Sequence, residues 1–325
     1  MGEPIWIGMD GGGTKTLALA ARRDGSLVAA ARAGSINFFS VGWEEARAQL
    51  RSIVQALSAA TGGAPVASAF IGHAALAGSA EPGQLRRLAE GILEADMLGM
   101  ESDLCVALEA MPGEGAKAVA VSGTGSMVAG RASPGAQLLT CGGWGYLLGD
   151  EGSGFHLAWE GVRAALRGSE KSAAATELTG ALLRHFGANE PAALLPLFYE
   201  PPMERHRLAG FARAVLACAE AGDAPALAIV RHGAGEFAQT TAALLRRLPQ
   251  GAALGLWGGV MVGSACYRAA FCGALAVEFP ALRPALLPCP PEAGALFAAF
   301  RQSGQTLQPA QRARLIDSGH EKGWF

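Results

Sequence analysis

The sequence has no surplus of positive charge, no paired cysteines and no unbroken apolar run that could cross a bilayer. Lys and Arg number 26 against 28 Asp and Glu, a net charge of −2. Without a basic stretch the electrostatic footprint of a nucleic-acid binder is missing, and no nucleic-acid partner is expected. Cys105, Cys141, Cys218, Cys266, Cys272 and Cys289 form no C-x-x-C pair and have no His at zinc-finger spacing, so they read as reduced core thiols. The most apolar stretch, 248–267, contains Pro249, Gln250 and five glycines, and divides into a strand, a Gly258-Gly259 turn and a helix start. Met1-Gly2-Glu3-Pro4 has no basic segment leading an apolar one, and Trp6 stands where a myristoylation signal needs Ser or Thr. A cytoplasmic location with no membrane partner is the expectation. The histidines stand in no metal-ligand spacing and receive no role.

What the chain does have is apolar content and glycine. Hydrophobic residues make up 50% and charged ones 17%, the balance of a globular chain. Its 325 residues suffice for about two domains. Many of the 45 glycines sit in short clusters, where a missing Cβ lets backbone approach a ligand closely. The first cluster, Asp10-Gly11-Gly12-Gly13-Thr14-Lys15-Thr16, lies between strands expected at 5–9 and 17–21, and Asp24-Gly25 then turns the chain into a third strand at 27–31. Walker A loops and dinucleotide fingerprints both need a helix straight after the loop, because its amides bind the phosphate. A strand follows here, so neither motif applies.

Helices are expected at 44–58 and 84–94 around a buried strand at 66–71. The opening pattern then returns: a strand at 118–121, the loop Ser122-Gly123-Thr124-Gly125-Ser126, a strand at 127–130 and a Pro134-Gly135 turn. This short repeat suggests two similar domains. Helices follow at 155–166, 172–185, 204–219 and 225–248, then a strand at 253–257 and helices at 262–272 and 292–301. With the boundary at the polar turn Pro112-Gly113-Glu114-Gly115, the domains are 1–113 and 114–325.

Strand, D-G-G-G-T-K-T, strand, followed by strand, S-G-T-G-S, strand, resembles the two phosphate hairpins of the actin, hexokinase and heat-shock-chaperone ATPase superfamily. Within it, C-G-G-W-G-Y-L-L-G-D-E-G-S at 141–153 is similar to the signature of the N-acetylglucosamine kinase family, related to bacterial glucosamine kinases and to the ATPases that activate benzoyl-CoA reductases and hydroxyacyl-CoA dehydratases. The resemblance covers roughly 5–301. It implies an α/β, two-domain actin-like ATPase fold, each domain a mixed sheet flanked by helices, with nucleotide and sugar in the interdomain cleft. It also implies ATP and Mg²⁺ as cofactors, an amino sugar as substrate and a homodimer.

Phosphoryl transfer needs amides to cradle oxygens, a cation to neutralise charge and a base at the attacking hydroxyl. By resemblance, Gly11, Gly12, Gly13 and Thr14 face the β- and γ-phosphates and Gly123, Thr124 and Gly125 grip them from a second loop, although such glycines also make ordinary hairpin turns. Lys15 either touches phosphate or is a solvated side chain. Asp10 would hold Mg²⁺ through water. Asp103 matches the family's general base for the sugar 6-hydroxyl, while from the residues alone it is a helix N-cap; Ser102 and Leu104 beside it depart from the family's usual Thr-Asp-Ala. Asn37 matches a sugar-binding Asn, and Asp150 a second sugar carboxylate or an N-cap, with Gly143, Trp144 and Gly145 as the adjoining wall. Glu151 is ambiguous. Gly210, Gly258 and Gly259 match places where adenosine approaches backbone.

The leading expectation is therefore an ATP-dependent kinase acting on the 6-hydroxyl of an amino sugar. N-acetylglucosamine is favoured because the 141–145 wall offers sulfur, aromatic surface and amides but no charge for an ammonium. Glucosamine is the runner-up, supported by Gly34-Ser35-Ile36-Asn37 and by 75–81, with Glu81 or Glu151 able to meet an ammonium. A dehydratase-activating ATPase needs cluster-binding thiolates, against which the unpaired cysteines argue. A non-catalytic sugar sensor fits poorly with retained Asp10, Asp103 and both loops. No function is carried onto 305–325.

Overall fold

A computed structural model describes residues 2–74, 82–200 and 203–325. The chain divides into two compact units, 1–113 joined by 287–325, and 114–286.

The first unit opens with the meander β1 (Ile5–Gly11), β2 (Lys15–Arg22) and β3 (Leu27–Gly34). Short α1 (Phe38–Val41) and the amphipathic α2 (Trp43–Ala60) lead to β4 (Val66–His73), α3 (Pro82–Ala89), β5 (Met97–Glu101) and α4 (Asp103–Ala110). The sheet order is β3-β2-β1-β4-β5, antiparallel through the meander and parallel from β1 to β5. β1 is buried on both faces, as a central strand of such a sheet must be. Ile5, Ile7 and Met9 pack in one cluster with Leu50, Ile53 and Leu57 of α2.

The second unit repeats the plan. Its meander is β6 (Lys117–Ser122), β7 (Ser126–Arg131) and β8 (Leu139–Gly142). A helical stretch follows: α5 (Gly154–Ser169), α6 (Leu178–Phe186), α7 (Leu194–Tyr199), α8 (Arg205–Ala209), α9 (Ala212–Glu220) and α10 (Ala224–Leu245). β9 (Ala253–Trp257), α11 (Gly259–Gly263), α12 (Ala265–Ala276) and β10 (Ala285–Leu286) complete the sheet in the order β10-β9-β6-β7-β8. β6 and β9 run parallel while β6, β7 and β8 run antiparallel, so both sheets are mixed and the two glycine loops occupy the same turn of the same meander.

The chain then returns to the first unit with α13 (Pro291–Gln302) and α14 (Pro309–Glu321). This corrects the expected second domain of 114–325, and the cause is packing along β1. Trp6 stacks on Phe300 at 5.0 Å and donates to Ser303 Oγ at 2.8 Å. A Cβ at Gly8 would fall on the Leu296 amide, and one at Gly294 on the Val106 carbonyl, so paired glycines let α13 press against both β1 and α4.

Other differences are local. The segment 172–177 is not helical, and the expected helix at 204–219 breaks at Gly210. The helix expected at 262–272 is interrupted by Ser264, whose hydroxyl caps α12 by accepting from the Tyr267 amide at 3.2 Å. Among the described residues no helix is long and apolar enough to cross a membrane.

Candidate functional site

In the first unit, strand alternation and helix pitch bring three carboxylates together. Trp6, Gly8 and Asp10 share one face of β1, and Gly8 lies under the Glu292 carbonyl and Leu296 amide of α13. Four α-helical residues advance about 6 Å and two strand residues about 6.6 Å, so the Phe300–Trp6 and Leu296–Gly8 pairings continue to Glu292 beside Asp10. From the other side Asp10 pairs with Gly72 of β4, where a Cβ would stand 3.3 Å from Asp103 Cα. Gly72 thus lets the first turn of α4 close on the strand next to Asp10.

Ser102, not Asp103, is the N-cap of α4, its hydroxyl accepting from the Leu104 amide at 3.2 Å. Asp103 Oδ1 accepts from the same amide at 3.0 Å and from Ser102 Oγ at 3.2 Å. Burial raises the Asp103 carboxyl above its ordinary value, and these hydrogen bonds oppose the shift. Burial, reinforced by Asp103 and Glu292, holds Asp10 well above the usual carboxylate range, with Lys15 pulling it down. Glu292 is pushed up to about 7 by burial, opposed by a hydrogen bond from its own amide and then by Lys15. Its Oε2 is buried without a hydrogen-bond partner.

The first glycine loop is tied to the Asn37 turn. Ser35 Oγ donates to the Gly12 carbonyl at 3.0 Å and accepts from the Asn37 amide at 3.0 Å. Asn37 Oδ1 caps α1 through the Phe39 amide at 3.1 Å. The Gly12 amide closes the hairpin on the Lys15 carbonyl at 3.1 Å. Gly11 is required by packing, because its Cβ would meet Ile36 Cδ1 at 2.6 Å. A Cβ at Gly13 would meet nothing within 4 Å, and Gly13, Thr14 and Lys15 are exposed, leaving that stretch open to a ligand.

The second unit holds the second loop. The Gly123 amide donates to the Gly125 carbonyl at 2.9 Å, and the Gly123 and Thr124 carbonyls accept from Gly154 at 2.7 Å and Phe155 at 3.2 Å in the first turn of α5. Gly258, at φ +99°, has room for no Cβ because the Ser122 carbonyl fills that place, while Gly259 is open. Gly210 closes α8, its own Cβ position facing the Arg207 carbonyl at 3.2 Å. Asp150 has φ +62° and is 2% exposed. Its Oδ2 accepts from Arg205 Nη2 at 2.8 Å and its Oδ1 from the Ser126 amide at 3.4 Å. Ser153 caps α5 by accepting from the His156 amide at 3.1 Å, so Asp150 is not the cap. Gly143 and Gly145 both have positive φ, and the adjoining Trp144, Leu147 and Leu148 are largely exposed.

In the first unit, the open glycine loop beside the carboxylate cluster is of a kind that suits a phosphate-bearing ligand with a divalent cation. Among the described residues no three His, Cys, Asp or Glu side chains stand close enough to hold an ion directly. A Mg²⁺ keeping its waters fits, with Asp10 reaching it through water and the unpartnered Glu292 oxygen as a further acceptor.

The sequence profile of one ATPase family matches residues 7–280. The chain belongs to the BadF/BadG/BcrA/BcrD ATPase family. Two kinases are relatives of this family member. The N-acetylmuramic acid/N-acetylglucosamine kinase of Clostridium acetobutylicum is 30% identical over 119 residues, 37% of this chain and 39% of that one. The N-acetyl-D-glucosamine kinase of Dictyostelium discoideum is 27% identical over 212 residues, 62% of this chain and 66% of that one. The matches thus span less than two thirds of either relative's length. Among solved structures, a candidate N-acetylglucosamine kinase of Chromobacterium violaceum superposes with TM-score 0.72 at 23% identity, covering 90% of this chain and 98% of that one. A ROK family glucokinase from Streptomyces griseus gives 0.56 at 16%, covering 92% and 99%. At these identities the likeness establishes the actin-like fold of this ATPase family member.

The family resemblance singled out Asp10 and Asp103 separately, and the structure sets them side by side; Glu292 and Arg205 were not singled out by the sequence. The signal at Glu292 was a carboxylate leading a run of apolar residues, 293–300, and Arg205 had none. Glu81 and the rest of 75–81 lie outside the described residues.

Proposed function

We propose that this protein transfers the γ-phosphoryl group of ATP to the 6-hydroxyl of an amino sugar, N-acetylglucosamine being the best-supported acceptor. The observation that carries the reading is Asp103: a half-buried carboxylate with a raised proton affinity, fixed at the head of α4 beside Asp10. Asp103 accepts the hydroxyl proton as the sugar oxygen bonds to the γ-phosphorus and the bond to the ADP oxygen breaks. Asp10 would hold Mg²⁺ through water, and the ion would supply positive charge against the phosphates. Gly11, Gly12, Gly13, Thr14 and Lys15 in one loop and Gly123, Thr124 and Gly125 in the other hold phosphate oxygens by backbone amides, the Thr14 hydroxyl and the Lys15 ammonium. Gly210, Gly258 and Gly259 admit adenosine. Asn37, Gly143, Trp144, Gly145 and Asp150 bind the sugar.

The acetylated sugar is supported by the two kinase relatives, both named for N-acetylglucosamine. It is also supported by the charge state of Asp150, whose carboxylate is already matched by Arg205 and so offers little to a buried ammonium. A coupled ADP-release screen over N-acetylglucosamine, glucosamine, N-acetylmannosamine, glucose and buffer tests the reading. N-acetylglucosamine should give the highest kcat/KM. Equal or faster glucosamine turnover at pH 7 would transfer the assignment to glucosamine, and ADP release independent of any sugar would overturn the kinase reading. An iron assay on the purified protein tests the dehydratase-activator alternative. We also propose a cytoplasmic homodimer, to be checked by light scattering.

A further inference from the structure

Glu292 stands in the second position of α13, directly after Pro290 and Pro291, and is 3% exposed. Its backbone is pinned by the close approach that Gly8 and Gly294 allow, so the side chain cannot be relieved by a small shift of the helix. Yet Oε2 is buried without a hydrogen-bond partner. A core position asking only for volume is better served by Leu or Gln, because an unmatched carboxylate oxygen away from water is costly. The charges around it point the same way. Asp10, Asp103 and Glu292 converge at one end of β1; Lys15 is the cation that offsets both Asp10 and Glu292, and the rise at Glu292 is otherwise opposed by a hydrogen bond from its own amide. A hydrated divalent cation supplies both missing elements: positive charge, and water protons polarised into strong donors.

We propose that Glu292 is an outer-sphere anchor for the Mg²⁺ that accompanies the nucleotide, its Oε2 accepting a hydrogen bond from a metal-bound water. Asp10 holds the ion's waters from the strand and Glu292 from the helix, so the C-terminal return of the chain to the first unit completes the metal site. The inference rests on the reading of the Asp10 loop as a nucleotide and Mg²⁺ site.

The test is a Mg²⁺ titration of the ADP complex followed by isothermal calorimetry, with melting temperatures in EDTA, for the parent, Glu292→Gln, Glu292→Leu and Asp10→Asn. Glu292→Gln should weaken apparent Mg²⁺ affinity about tenfold and Glu292→Leu by more, while ADP affinity without Mg²⁺ stays at the parent value. In EDTA Glu292→Gln should melt at or above the parent temperature, because the unmatched carboxylate is gone. Parent-like Mg²⁺ affinity in both Glu292 variants, with Asp10→Asn impaired, overturns the proposal and leaves the nucleotide reading standing. A Mg²⁺ response unchanged in Asp10→Asn as well overturns that reading and the proposal with it. Early melting of Glu292→Gln in EDTA would reveal a structural partner for Oε2 and also overturn the proposal.

Discussion

Arg205 Nη2 lies 2.8 Å from Asp150 Oδ2, and this pair links the loop at 143–150 to the second glycine loop, since a Cβ at Gly125 would meet both groups. The Arg205 guanidinium also stands over the Tyr146 ring at 5.6 Å. One cation therefore sets the charge and position of a carboxylate that is otherwise sealed from water, and it lowers the carboxyl against the upward push of burial.

Replacing Arg205 with Met leaves Asp150 buried without its cation. A stranded charge-assisted partner costs about 1–3 kcal/mol, discounted toward the lower end because the Arg205 side chain is 40% exposed. We expect sugar kcat/KM to fall roughly tenfold, with Arg205→Lys restoring part of it. Steady-state kinetics on both variants checks this, and parent-like values in Arg205→Met would make the pair irrelevant to the sugar.

Asp103→Asn preserves shape but cannot accept a proton. We expect kcat to drop on the order of 10²-fold or more while sugar affinity changes little. Because burial raises the Asp103 carboxyl above its ordinary 3.8 and the base works deprotonated, kcat/KM should fall on acidification with its midpoint above that value. A pH-rate profile of the parent locates the limb.

Gly123 and Gly258 separate ligand binding from folding. A Cβ at Gly123 meets only the Gly259 amide nitrogen at 3.8 Å, so Gly123→Val should fold with little loss of stability yet lose ATP affinity. Gly258→Ala drives a methyl into the Ser122 carbonyl at positive φ and should cost about 1–3 kcal/mol in stability. Calorimetric ATP binding and thermal melts on the two variants distinguish the effects. ATP binding intact in Gly123→Val would remove the second loop from the nucleotide site.

Glu292 gives the metal-free protein a pH signature. Its folded value of about 7 exceeds the ordinary 4.5, so between these values the folded state binds more protons than the unfolded chain. The associated stability is present below pH 4.5 and is lost as pH rises through 7. The shift corresponds to at most on the order of 3 kcal/mol. In EDTA, chemical denaturation of the parent minus that of Glu292→Gln should show this decline, and a flat difference would place the carboxyl in the ordinary range.

Much of the meander architecture and both glycine loops was readable locally. Residues 5–9 are an apolar run followed by a glycine turn, and 118–121 repeat it, because strand burial and glycine turns are written in neighbouring residues. The carboxylate pair was partly legible: Asp10 ends a recognisable strand, whereas Asp103 was placed by family resemblance and the structure gave its capping role to Ser102. The terminal helix α14 went unnoticed because only Leu315 and Gly319 are buried along it, too few to show an apolar face.

By itself the sequence determined what short-range physics controls: alternating strands and helices, two glycine hairpins of the same kind, and a chain without paired thiols. Tertiary structure alone decided that 287–325 belongs with the first unit, that Glu292 stands beside Asp10, and that Arg205 neutralises Asp150. These outcomes depend on which surfaces meet across distances such as the 297 residues between Trp6 and Ser303. Glycines that permit such approaches, Gly8, Gly72 and Gly294, look like any other glycine until the opposing backbone is in place. A buried charge likewise has no local pattern, because its partner or its lack of one is set by the packing of distant segments.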